Sequence, residues 1–281
     1  NVVRIERMNT SKVMGRKSGE EIKSQRIKSD KFNITVDSML YVRQPFEYMD
    51  NWTNPDRIAE IGKNNGTEFA IIHDEAHVIQ LQKARTWVAP AHLKPAFNDG
   101  MFVEVKYKKD AVKIEDIEAN ATASVVAHAK IIETFRKRRT PMTNLITICT
   151  PERFTELTNH GKLLNKDYVS DNGDFAGRRV VKVNGVDIVE IDTFPTTVGA
   201  REGLDDPSNG NNFNVTADDL KCEMIVFDKT TSLVTVTAKE LWSKYWDDHQ
   251  NAAMVLDAFA MYTVAVRRAD TVGVIMYTPT V

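Results

Sequence analysis

Residues 53–85 read TNPDRIAEIGKNNGTEFAIIHDEAHVIQLQKAR. In this stretch Ile58, Ile61, Phe69, Ile72, Ala76 and Ile79 fall three or four apart, which lays one apolar stripe along a single helix face. Only Asn65 interrupts it. Thr53 or Asn54 suits the N-cap, and Pro55 suits the first helical position, where its missing N–H has no intrahelical partner to lose. About 31 residues at roughly 1.5 Å each make a rod near 45 Å. A helix of that length exceeds the diameter of a small domain and suits a strut better than the wall of a pocket.

Around the rod, the pattern changes. Upstream, Val3 and Ile5 precede, and Phe32, Ile34 and Val36 follow, a polar centre of Gly15, Arg16, Lys17, Ser18, Gly19, Glu20 and Glu21. This pattern predicts two strands and a tip. An isolated two-stranded ribbon is marginal in water, so it must lean on its own core or on a neighbour. Downstream, residues 87–95 carry two prolines and connect to an alternating strand over 101–107. A second helix is expected over 114–138, stopped by Pro141.

The spacing further predicts a buried strand at 145–149 and a short helix opened by Thr150 and Pro151. Asn184-Gly185 between alternating runs is a type I′ hairpin signal. Residues 193–219, crowded with Gly, Pro, Asn and Asp, read as a long loop. Strands are expected at 222–227, 233–237 and 272–277, with an amphipathic helix over 247–261.

Composition narrows the classes. With 281 residues of which 42% are hydrophobic, the chain has material for a sizeable core. Its net charge of −2 gives no general attraction to nucleic acid or anionic lipid. Arg136, Lys137, Arg138 and Arg139 form a local basic run that could face phosphate, with solvated surface the simpler reading. Cys149 and Cys222 each sit in an apolar run, as reduced structural thiols do. There is no secretory signal, and the chain begins without Met, from which a missing or processed N-terminal piece is expected. The longest apolar run, 252–266, contains Asp257 and is short for a membrane span. A soluble protein made inside the cell is expected.

The chemical motifs are weak. Asp74-Glu75-Ala76-His77 spells a helicase box, but no phosphate-binding G-x-x-x-x-G-K-[ST] loop accompanies it. His73 and His77, four apart, could share a metal. However, Asp74 and Ala76 stand where the zinc-peptidase motifs need glutamate, and no third ligand is evident. His128 falls on an apolar face as a core histidine. No nucleophile elbow, dinucleotide loop or Cys/His cluster occurs. Trp242, Tyr245 and Trp246 beside Lys239 and Lys244 read as an aromatic packing patch between elements or subunits, ahead of a base-stacking platform.

The order of these parts resembles the major capsid protein of tailed bacteriophages, the Hong Kong 97-type fold, most closely its short-tailed, podovirus-like branch. KFNITVDSMLY at 31–41 looks like the returning strand of that family's extended loop. LITICTPERF at 145–154 looks like its central strand and following helix, and GVDIVEI at 185–191 like the strand before its variable loop. MIVF at 224–227 through VGVIMY at 272–277 follows its C-terminal order. The link over 87–110 is longer than usual for the family, and the N-terminal arm is missing or short.

The resemblance implies an α+β chain with an extended hairpin loop, a long spine helix, a peripheral domain and an axial α/β domain. It assigns residues 1–43 to the N-terminal segment and loop, 44–113 with 232–248 to the peripheral domain, and 114–231 with 249–281 to the axial domain. It implies a non-enzymatic subunit without cofactors that self-assembles, as pentamers and hexamers, into an icosahedral head shell around double-stranded DNA. Assembly in the host cytoplasm follows, with scaffolding, portal and decoration proteins as partners and no membrane. On this reading Gly15, Arg16, Lys17, Ser18, Gly19 and Glu20 form the inter-subunit loop tip, and Arg136 to Arg139 are candidates to face DNA. Lys17 has no assignable Asn partner, so no covalent cross-link is expected. Gly62 and Gly66 weaken the rod locally and suit it to bending between immature and expanded shells. The alternatives are an encapsulin-type cargo shell and a metal-dependent hydrolase using His73 and His77.

Overall fold

The opening stretch folds as one helix, α1 (Arg57–Lys83), of 27 residues and roughly 40 Å. The computed structural model describes residues 2–9, 11, 13–48, 56–94, 96–109, 111–158, 181–201, 204 and 212–280. The expected caps Thr53 and Asn54, and Pro55, lie outside them. The buried amide side chains of α1 each donate one hydrogen bond, while Gln82 Oε1 takes no partner among the described residues. Asn65 donates to Gln44 Oε1 at 3.4 Å, Gln80 to Asn212 O at 3.1 Å and Gln82 to Cys222 O at 3.1 Å.

Three sheets surround this rod. β1 (Val2–Met8) and β2 (Ser29–Thr35) pair as an antiparallel ribbon, with Val2 opposite Thr35 and Met8 opposite Ser29. β3 (Leu40–Glu47), β9 (Leu233–Asp248) and β10 (Ala253–Val266) form an antiparallel sheet in the order β3-β10-β9. The remaining strands are β4 (Met101–Tyr107), β5 (Leu145–Cys149), β6 (Val181–Val183), β7 (Val186–Glu190), β8 (Cys222–Asp228) and β11 (Val272–Pro279). They make a mixed sheet in the order β4-β11-β8-β5-β7-β6, parallel at β4/β11 and β5/β7.

The six-stranded sheet is covered on both faces because its strands alternate two apolar sets. On β11, Ile275 and Tyr277 pack with Ile131, Ile132 and Phe135 of α2 (Ile114–Lys137). Val272, Val274 and Met276 face Val78, Leu81 and Ala84 at the end of α1. The earlier part of α1 lies on the three-stranded sheet through Phe69, Ala76 and Ile79. One rod therefore joins two cores. Each fully buried Ile or Phe along it contributes on the order of 2–3 kcal/mol of transfer free energy.

Most of the expected elements are present, including the short helix α3 (Pro151–Thr158). The Asn184-Gly185 turn has positive φ at both positions, 53° and 83°, as type I′ requires. Cys149 and Cys222 are buried free thiols, pushed up to about 12 by burial and so held protonated.

The helix expected over 247–261 is not formed. Residues 253–266 are instead the central strand β10, and β9 runs on to Asp248 instead of ending near residue 237. A central strand is covered on both sides, so its sequence is almost continuously apolar and loses the alternation that marks a strand. Asp257 gave the run a false polar face. It lies buried at 3% exposure, accepting both guanidinium bonds of Arg43 at 2.7 and 3.0 Å and the Trp246 indole N–H at 2.8 Å. Trp242 stacks on Phe259 across the same strand pair, centroids 5.6 Å apart. Trp242 and Trp246 thus pack across the β9–β10 pair, while Trp242 and Tyr245 stay about half exposed.

His128 is 1% exposed, on α2. The Asn184 amide donates to its Nδ1 at 3.1 Å, and Nε2–H donates to Thr147 Oγ1 at 2.9 Å. Burial lowers its pKa to about 4. The unfolded chain takes up this proton near pH 6.5 and the folded one does not. The stabilisation is therefore complete above that pH and is lost as pH falls toward 4. Denaturant melts of unassembled subunit will show about 2 kcal/mol lost between pH 7 and pH 5 from this group. His128→Gln will remove that portion of the pH dependence.

Candidate assembly surfaces

The β1/β2 ribbon is fixed at its base and free at its tip. Ile34 and Val36 are buried in the body. Arg7, 6% exposed, donates from Nη2 to Val266 O at 2.8 Å, with its guanidinium 4.2 Å from the Phe32 ring centroid and 5.4 Å from that of Trp87. Burial lowers the Arg7 pKa, opposed by nearby Asp30. Past Asn9, whose N–H donates to Lys28 O at 3.0 Å, the two arms leave the body. The expected tip residues Gly15 to Glu20 come together in a turn. Glu20 N–H donates to Lys17 O at 3.2 Å, Arg16 Nη1 donates to Glu20 O at 2.9 Å, and Gly19 takes φ 90°. That φ is why a glycine stands there. The arms expose Val13 (95%), Ile22 (80%), Met14 and Ile27 to solvent.

The basic run ends α2, where cations also complement the helix dipole. It does not act as one patch. Lys137 pairs with Glu133 at 2.6 Å, and Arg138 turns inward to donate to Asp270 O at 3.1 Å. Arg136 and Arg139 remain exposed.

His73 and His77 stand side by side with ring centroids 4.5 Å apart, half-buried and not on open surface. Both nitrogens of His77 are already used. Nδ1–H donates to His73 O and Nε2 accepts from Thr235 Oγ1, each at 2.7 Å. Among the described residues, no group of three or more His, Cys, Asp or Glu side chains is placed to hold a metal ion. The helicase-box residue Glu75 is a structural partner, bound by Arg201 at 2.9 Å. No described helix is long and apolar enough to cross a membrane.

Two features went unread in the sequence. Arg153 of α3 has a nearly buried side chain, held between the rings of Tyr107 (4.1 Å) and Tyr277 (4.6 Å) and paired to Glu223 and Glu156, each at 2.5 Å. Gly100 presses against the end of α1, where a Cβ would stand 2.0 Å from Ala84 O. No local signal marks either, since both depend on residues far away in the chain.

A body in which one long helix bridges a small sheet and a covered α/β core has the Hong Kong 97-type fold of phage capsid proteins. Solved structures agree. The bacteriophage PhiM1 mature capsid matches at 41% identity over 99% of this chain and 82% of that one, with a TM-score of 0.81. The capsid of cyanophage P-SCSP1u matches at 17% identity over 99% and 84%, TM-score 0.79. A Mycobacterium phage Che8 structure matches in fold at 15% identity over 98% and 84%, TM-score 0.61. No family model and no curated protein matches the chain. The chain belongs to the major capsid proteins of tailed bacteriophages, which form the icosahedral shell of the virion.

Proposed function

We propose that the ribbon is the lap joint of the shell, its tip lying across an adjacent subunit within a pentamer or hexamer. The observation that carries this is the contrast along it: a base locked by Arg7, Ile34 and Val36, and arms that leave Val13 and Ile22 uncovered. A repeated lap of this kind closes rings, and rings close a shell. Replacing residues 13–27 by a short Gly-Ser turn will leave the subunit folded by circular dichroism and abolish closed shells in electron micrographs. Normal shells from that variant would remove the lap joint from the account.

The sheets suggest how the subunit divides. The peripheral part comprises the three-stranded sheet with the first two-thirds of α1. The axial part comprises the six-stranded sheet with α2 and α3, at the five- and six-fold centres. β4 then goes with the axial part and β10 with the peripheral part. Gly62 and Gly66 border a cavity of about 210 Å³ between α1 and Leu241 and Leu256 of the small sheet, and a Cβ at either meets nothing within 4 Å. We take this as the place where the rod bends during expansion. Gly62→Ala with Gly66→Ala will stiffen α1, gaining up to about 1 kcal/mol per site in helix propensity. It will also slow the compact-to-expanded transition seen by native gel; an unchanged rate would count against bending here.

The shell's cargo on this reading is double-stranded DNA, held without sequence preference, with scaffolding, portal and decoration proteins as partners. Assembly takes place in the host cytoplasm, and the subunit performs no catalysis.

A further inference from the structure

A junction of four segments gathers cations that the sequence scatters. Arg26 and Lys28 of the ribbon face His92 and Lys94 of the 88–99 connector across an open cleft of about 160 Å³. The Asn9 amide reaches His92 O at 3.5 Å. Lys94 pairs with Asp99 at 3.0 Å, and Asp99 lies within the field of Arg138 at the end of α2. Arg138 donates to Asp270 O, and Arg268 binds the Asp270 carboxylate at 2.9 Å while donating to Ala96 O at 3.1 Å. Ribbon stem, connector, helix end and the β10–β11 turn are therefore one contiguous region.

Its charge is one-sided. Three of its carboxylates are already engaged, Asp99 by Lys94, Asp270 by Arg268 and Glu133 by Lys137, and Asp30 on the ribbon stem lies in the field of buried Arg7. Arg26, Lys28, Arg136, Arg139 and Arg267 are exposed and make no ion pair among the described residues. In a chain of net charge −2, such a concentration departs from the average surface.

We infer that this junction binds the phosphate backbone of the packaged duplex and faces the lumen of the shell. The inference rests on the DNA-cargo reading above. Exposed cations spread over four segments, beside a cleft whose lining is polar apart from Ile27 and Ala91, match phosphates read without regard to sequence. A protein partner would call for buried aromatic or aliphatic anchors at the centre of the patch. Weak affinity per subunit suffices, because a shell presents many copies to one long polymer.

The test uses soluble capsomers and a fluorescein-labelled random-sequence duplex, titrated over a salt series by anisotropy. Arg136→Gln/Arg139→Gln/Arg267→Gln will bind more than tenfold more weakly at about 0.1 M salt, and the log–log salt slope will become less steep by about 3. Lys63→Gln/Lys106→Gln/Lys239→Gln, placed elsewhere, will bind as the parent does. Shells of both variants will look normal by electron microscopy. Unchanged affinity and slope in the first variant overturns the inference. So does lost shell assembly with DNA binding intact, which assigns the junction to an acidic protein partner. The nucleic acid content of purified virions reads the cargo separately. DNA-filled particles with capsomers that ignore DNA refute the junction and leave the cargo reading standing.

Discussion

Gly100→Ala will yield a subunit that unfolds several degrees lower, melts less cooperatively and forms no closed shells. The Gly100 N–H donates to Trp87 O at 2.8 Å, which fixes the backbone on one side. On the other side, an added methyl would stand 2.0 Å from Ala84 O and 2.9 Å from the Arg85 carbonyl carbon. Those are main-chain atoms at the end of α1, and no side-chain rotation can clear them. Overpacking commonly costs about 1–3 kcal/mol, and a clash of backbone with methyl lies at or above the top of that range. For a chain of this size each kcal/mol is worth roughly 2–4 °C, so a drop of about 6–10 °C is expected in calorimetry. Gly15→Ala, where a Cβ meets nothing within 4 Å, is the matched control and will melt as the parent does. The consequence for function follows from position, because Gly100 immediately precedes β4 and sets the angle between the strut and the six-stranded sheet.

Arg153→Met will destabilise the axial core by about 3–5 kcal/mol, the range for removing one partner of a buried ion pair. Methionine can fill the slot between Tyr107 and Tyr277, so the loss is mainly electrostatic. Burial raises the Glu223 pKa even with Arg153 beside it, Arg153 acting to lower it. Without that guanidinium the carboxyl is driven further up and takes its proton at a higher pH than in the parent. The sign is therefore distinctive. A carboxyl with a raised folded pKa destabilises above that pKa, so the variant's deficit will shrink as pH is lowered from 8 to 5. Adding Glu223→Gln will recover part of the loss at pH 8. A deficit independent of pH, with no recovery in the double variant, would mean that Arg153 acts through packing alone.

What the sequence disclosed and what it hid have physical reasons. α1, α2, β5 and the Asn184-Gly185 hairpin were legible because each is specified locally, by apolar spacing, a proline or a turn dipeptide. β10 was misread because a central strand covered on both faces carries the same continuous apolar run as a buried helix. The charge in its middle, Asp257, is explained by Arg43, 214 residues away in sequence, and by the Trp246 indole on the neighbouring strand. Gly100 and Arg153 belong to the same class, since their roles exist only once distant backbone or carboxylates are brought alongside. The ribbon tip was legible from the polar centre Gly15 to Glu21 between two alternating segments. The basic junction was visible only in part, through Arg136 to Arg139. Folding turned Arg138 inward and brought in Arg26, Lys28 and Arg267 from remote segments.

Cryo-electron microscopy of particles assembled from this chain tests the central claim most directly. The account predicts closed icosahedral shells of pentamers and hexamers in which residues 15–20 of every subunit rest on an adjacent one. Particles in which the ribbon folds back onto its own subunit, or a preparation that stays a monodisperse monomer or dimer under all assembly conditions, would contradict it.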